Sequence, residues 1–310
     1  MEEIAPGLHQ LDTLLGGIEG LTAGFLVEGP QPALVETGAQ TSAETVVRAL
    51  AGAGLGPRDL RWVVVTHIHL DHAGGVGDVA RAFPEATVVV HEKGARHLVD
   101  PARLISSAAR VYGALLDDLY GRMVPVDAAR VVAAADGLTL DIGGGRRLRM
   151  IDSPGHAQHH QAVLDEQSGT LLVGDAVGVR LRGAGGLRPA TPPPDFDLEQ
   201  SVASLHRFRS LRPSRLVLTH YGPVADPELA LVEAEETLHR WVETAERVLH
   251  DDPGSGVEDL VAALAEADGT LAGGVPDADR DRLELLNGVR SNAAGILRYL
   301  ERRVATESAG

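Results

Sequence analysis

Thr66-His67-Ile68-His69-Leu70-Asp71-His72 is the stretch that decides how this chain is read. His67, His69, Asp71 and His72 put four metal-capable side chains within six residues. Three of them are imidazoles, the commonest protein ligand for zinc, iron and similar ions. Ile68 and Leu70 alternate with them and can turn back into a core. Ala73-Gly74-Gly75 then lets the backbone turn sharply into the next element. Just upstream, Arg61–Thr66 (RWVVVT) is a continuous apolar run of strand length and β-branched content, which predicts a buried central strand. A His-rich surface loop is the bland alternative. Histidines seldom cluster in this way outside metal sites.

Working outward, three more candidate ligands share the same context. His156 follows the strand-like run RLRMID (146–152) through a Ser-Pro-Gly turn. Asp175 closes TLLVGD (170–175), and His220 closes RLVLTH (215–220). Each lies at the carboxyl end of an apolar strand, the edge at which α/β sheets bind ligands. Any one of them alone reads as a hydrogen-bonded structural residue. Together with the first stretch they make five His and two Asp, enough for two metal ions.

The blocks THIHLDHAGG, DSPGHAQHH, LLVGDA and LTHYGP, in that order, resemble those of the metallo-β-lactamase-fold hydrolases, in particular glyoxalase II-like and related small hydrolases. The resemblance covers roughly residues 8–225. It implies an α/β fold, an αββα sandwich of two mixed β-sheets flanked by helices. It also implies that His67, His69 and His156 hold one metal, that Asp71, His72 and His220 hold a second, and that Asp175 bridges them. The cofactors implied are two divalent ions, zinc first, with iron and manganese as alternatives for an all-His/carboxylate set. The reaction implied is attack by a metal-bridging hydroxide on an ester, thioester or phosphoester small molecule. Asp71 would orient the nucleophile and pass a proton to the leaving group. Lactonases of this fold carry a Tyr three residues after the bridging Asp, where this chain has Gly178. Flavin-linked di-iron relatives have Glu where this chain has His69. Two other readings stand beside the hydrolase: a mononuclear iron persulfide dioxygenase of the same fold, and a non-catalytic binding module.

Composition narrows the field. The 310 residues include no Cys, which excludes disulfides, a thiolate nucleophile and Cys-ligated metals. The 28 Lys+Arg against 44 Asp+Glu leave a net charge of −16, unsuited to a general nucleic-acid binder. No window approaches the 18 or so apolar residues of a membrane helix, and MEEIAPGLHQ lacks the apolar core of a signal peptide. A cytoplasmic protein with a small-molecule substrate is expected, without nucleic-acid or membrane partners.

Thr41 and Glu44 predict a capping box opening a helix over 42–56. Further helices are expected at 76–82, 198–210 and 228–249, and strands at 87–91 and 161–166. Residues 183–197 (GAGGLRPATPPPDFD) read as a long loop bordering the site. DDPGSG (251–256) divides a catalytic domain over 1–250 from a helical subdomain over 257–303. The subdomain is interrupted by Gly269, Gly273, Gly274, Gly288 and Gly295, and is available to wall the pocket or to form a homodimer contact. Secondary candidates are His160 and, less so, His159 as residues orienting a ligand, with Tyr221, Arg180, Arg182, Phe196, Tyr112 and Tyr120 as pocket residues. His91 reads as a turn residue or a pocket neighbour.

Overall fold

The computed structural model describes residues 1–182, 184–268 and 276–307. Gly183 and residues 269–275, which include Gly269, Gly273 and Gly274, lie outside the described residues.

Among the described residues the apolar runs form two large mixed sheets. The first has seven strands in chain order: β1 (Glu2–Ala5), β2 (Leu8–Asp12), β3 (Ala23–Val27), β4 (Ala33–Val35), β5 (Trp62–Val64), β6 (Thr87–His91) and β7 (Val131–Ala134). β1 to β4 are antiparallel neighbours, and β4 to β7 are parallel. The parallel half needs crossover connections. These are α1 (Ala43–Gly52), then α2 (Leu70–Ala73) with α3 (Val76–Ala82), then α4 (Ala95–Val99) with α5 (Ala102–Tyr112). The second sheet has six strands in the order β15 (Gly222–Pro223), β14 (Arg215–Leu218), β11 (Thr170–Leu172), β10 (Gln161–Asp165), β9 (Arg146–Asp152) and β8 (Thr139–Gly143). Only β11 and β14 pair in parallel there. The remaining strands, β12 (Val179–Leu181) and β13 (Ala184–Arg188), form an antiparallel hairpin. The other helices are α6 (Leu198–Leu211), α7 (Pro227–Asp251), α8 (Val257–Ala267), α9 (Asp277–Asn287) and α10 (Val289–Glu307). Two mixed sheets with flanking helices and a C-terminal helical region make up the expected α/β sandwich.

The chain forms two units. One comprises Met1–Asp152, His159–Gly174 and Ser214–Pro223, and holds both large sheets with α1–α5. Its core joins Phe25, Val35, Val64 and Val89 of the first sheet to Ile142, Met150, Val163 and Val217 of the second. The continuous β-branched runs are explained by this burial on both faces. A buried pair, Arg146 to Asp165 at 2.7 Å, fixes β9 against β10. The other unit comprises Ser153–Gln158, Asp175–Pro213 and Val224–Gly310. Within it α7 buries Leu231, Ala234, Leu238, Trp241 and Ala245 on one stripe and packs against α8 and α10. Asp197 and Asp226 cap α6 and α7, accepting from the Gln200 and Leu229 amides.

Three local expectations differ from the structure. The Thr41–Glu44 box does not form, because Thr41 Oγ1 donates to the Leu119 carbonyl at 2.7 Å and α1 begins at Ala43 without a side-chain cap. Residues 184–188 are a strand rather than loop, paired with β12 through Val179 and Arg188. Gly295 does not interrupt a helix. It lies inside α10, where a Cβ would fall 1.8 Å from the Thr191 carbonyl oxygen, so glycine permits the close approach.

Candidate metal centre

The His-rich stretch begins where β5 ends. Val65 and Thr66 are buried, and the Thr66 amide donates to Glu36 Oε1 at 2.6 Å. His67 is fully buried, with Nδ1 3.0 Å from the Thr66 hydroxyl and Nε2 2.9 Å from His69 Nδ1. α2 then opens with Leu70 turned inward, and it carries Asp71 and His72. Its tight seat depends on Gly74, where a Cβ would lie 2.8 Å from the Gln40 amide nitrogen.

Hydrogen bonds set the tautomers of the two buried rings that follow. His72 Nδ1 meets the carboxylate of Glu36, itself fully buried. A carboxylate only accepts, so Nδ1 carries the proton and Nε2 carries the lone pair. His220, just beyond β14, has Nδ1 2.7 Å from the Leu21 carbonyl, which also only accepts. Its Nε2 is therefore a lone-pair atom too. These two Nε2 atoms face one another at 3.1 Å. Asp71 Oδ2 lies 3.4 Å from His220 Nε2 and 3.7 Å from His72 Nε2. The three side chains offer ligand atoms within 4.8 Å of one another. With both rings neutral, three electron-rich atoms converge in a buried place, an arrangement that a cation among them stabilises. The donor set fits a divalent ion of the zinc, iron or manganese kind.

In the second unit, His156 Nδ1 donates to the Ala190 carbonyl at 2.9 Å. That leaves the Nε2 lone pair facing Asp175 Oδ2 at 3.6 Å, with both residues buried. An acceptor pair of this kind again suits a cation.

His160 is fully buried, its ring centroid 5.0 Å from that of His67. Gly174 makes room for it, since a Cβ there would fall 2.6 Å from His160 Nε2. His159 stacks at 6.2 Å and 11° on the His67 ring. Tyr221 donates to Asp12 Oδ2 at 2.9 Å. His91 pairs with Asp152 at 3.0 Å and accepts from the Lys93 amide, the turn role. Tyr112 and Tyr120 rings lie 4.6 Å apart. Burial, with Tyr112 and Asp71 close by, pushes the Tyr120 phenol well above its ordinary range, so it stays protonated. Arg180 is half-buried; burial lowers its pKa while the Glu233 charge opposes the shift. Phe196 is buried edge-on to the Tyr299 ring at 5.5 Å. Sequence reasoning missed Glu36. The available signal was a lone carboxylate closing the apolar run PALVET.

A profile described as the metallo-beta-lactamase superfamily matches residues 20–220, which contain all seven candidate ligands. The chain belongs to the metallo-beta-lactamase superfamily. Within that superfamily it is 29% identical over 210 residues to a metallo-beta-lactamase fold-containing protein of Sulfurisphaera tokodaii, covering 67% of this chain and 76% of that one. It is 28% identical over 259 residues to a hydroxyacylglutathione hydrolase of Acidiphilium cryptum, covering 82% and 78%. The crystal structure of a metallo-beta-lactamase family protein of Thermus thermophilus shares the fold, with a TM-score of 0.70 at 24% identity over 98% and 96% of the two chains. Gly178, where superfamily lactonases carry Tyr, has φ of +103°, and a Cβ would lie 2.5 Å from the Arg188 carbonyl oxygen. No helix among the described residues is long and apolar enough to cross a membrane.

Proposed function

We propose that this metallo-beta-lactamase superfamily member is a binuclear metal-dependent hydrolase acting on an ester, thioester or phosphoester small molecule. The observation that carries the reading is the convergence of Asp71, His72 and His220, with the protons of both rings turned away on Nδ1. His67, His69 and His156 would hold one ion, Asp71, His72 and His220 the other, and Asp175 would bridge them, as the superfamily resemblance implies. Zinc is the favoured metal. The similarity to a hydroxyacylglutathione hydrolase supports hydrolysis as the reaction class. The net charge of −16 supports a small molecule rather than nucleic acid as partner, and the cytoplasm is the proposed location.

A pair of bound divalent ions supplies a water acidified towards neutral pH and a positive field for the oxygen that gains charge. The residues of the chain do the rest. Asp71, whose side chain is 16% exposed where His72 is closed off, is the carboxylate able to take a proton from an attacking water and return it to a leaving group. Glu36 and the Leu21 carbonyl hold the His72 and His220 rings in the ligating tautomer. The buried Tyr120 phenol stays protonated and hydrogen-bonds with Tyr112.

The test is metal analysis of protein purified without added metal, paired with ester, thioester and phosphodiester substrates. Two ions per chain with turnover of one class supports the proposal. One iron per chain with oxygen uptake on a persulfide would overturn it in favour of the dioxygenase, and two ions without turnover in favour of a binding module.

A further inference from the structure

We propose that Asn292 of α10 is a positioning residue for His156, acting through Thr191 and the Ala190 carbonyl, so that metal loading and the docking of α10 are coupled. The proposal rests on the reading of His156 as a metal ligand.

The His156 ring is oriented by the bond from Nδ1 to the Ala190 carbonyl at 2.9 Å. That carbonyl is as fixed as the residues on either side of it. On one side, the Thr191 amide donates to Asn292 Oδ1 at 2.7 Å, and the Thr191 hydroxyl lies 3.1 Å from the same oxygen and 3.2 Å from the Asn292 carbonyl. An amide N–H can only donate, so the Asn292 side chain must present its oxygen here. Its Nδ2 then donates to Asn287 Oδ1 at 2.8 Å, which leaves the carboxamide no second orientation. On the other side, Asn287 Nδ2 donates to the Pro189 carbonyl at 2.9 Å. One residue earlier, the Arg188 guanidinium reaches Asp268 at 2.6 Å, Glu284 at 2.7 Å and the Asn287 carbonyl at 3.0 Å. Arg188, Thr191 and Asn292 are all fully buried. Gly295 lets α10 approach the Thr191 carbonyl closely enough for these bonds to form.

The run 188–191 is thus held by α9, α10 and the residue after α8, and it presents the Ala190 carbonyl to His156. Partners of this kind fix ring orientation and tautomer, and losing one weakens metal binding by about 10–100-fold. Coupling is reciprocal: if α10 orders the ligand, an ion on the ligand must hold α10.

The experiment titrates the full-length apoprotein with zinc chloride alone, comparing wild type with Asn292→Leu and Asn292→Asp. Asn292→Leu removes the acceptor and should weaken the site containing His156 by about 10–100-fold. Asn292→Asp keeps an oxygen on the Thr191 amide but sets its second oxygen against Asn287 Oδ1, so it should restore part of that loss, which a residue that merely fills space would not do. Hydrogen exchange on the wild type provides the second readout, independent of whether the leucine variant folds. Zinc should slow exchange across 289–307 at least about fivefold, the low end of ordinary coupling. A folded leucine variant with wild-type zinc affinity, or an α10 whose exchange ignores zinc in a protein that binds it, overturns the proposal. A wild type that binds no zinc, iron or manganese overturns the hydrolase reading instead.

Discussion

The imidazoles of His72 and His220 meet tip to tip, Nε2 to Nε2 at 3.1 Å, across 148 residues of chain. Each ring spends its proton on a different acceptor, Glu36 or the Leu21 carbonyl, and turns its lone pair to the other. Deleting one ring tests what lies between them. His220→Ala should lower the metal content from close to two ions per chain towards one and impair hydrolysis. Mass-spectrometric metal counting decides, and an unchanged count would remove His220 from the ligand set.

Asp71 is the least enclosed of the three, with its side chain 16% exposed. Asp71→Ala should keep the fold, as read by circular dichroism, while turnover falls at least about a hundredfold, the low end for losing positioned acid–base help. Near-normal turnover would take Asp71 out of the chemistry.

Glu36→Gln preserves volume and an acceptor for the Thr66 amide. It replaces the oxygen facing His72 with an NH2 donor, which would push the His72 proton to Nε2 and aim it at His220. Metal affinity at Asp71, His72 and His220 should fall by about 10–100-fold with secondary structure intact. Calorimetric titration with zinc reads the change.

The pair Arg188–Asp268 is buried at both ends. Arg188→Met leaves the Asp268 carboxylate buried opposite a thioether and should cost about 3–5 kcal/mol in urea unfolding. Adding Asp268→Leu removes that stranded charge and should recover most of the loss. Recovery failing to appear would show that the neighbouring Glu284 and Asn287 contacts matter more than the pair itself.

What the sequence shows here is what is local. The run WVVVT followed by alternating ligands is a short pattern, and β5 with His67–His72 follows from it directly. His156, Asp175 and His220 are legible for the same reason, each standing just past an apolar strand. Glu36 is not, because only the tertiary meeting of β4 and α2 makes it a partner of His72. Thr41 has the local signature of a cap, yet the Leu119 carbonyl, far along the chain, takes its hydroxyl. Gly295 reads as a helix breaker until the Thr191 backbone appears beside it. The prolines and glycines of 183–197 argue for loop, and the pairing of Arg188 with Val179 overrides them over 184–188.

The distance along the chain between His72 and His220 also sets an order of events during synthesis. The histidine-rich loop leaves the ribosome 148 residues ahead of the ring that faces it. Until β14 is made and laid beside β11, the His220 ring is absent from its place opposite His72 and Asp71. Closing so long a loop costs chain entropy, which the pairing of β14 with β11 helps to offset. The meeting of the two rings is therefore a late act in the life of the nascent chain.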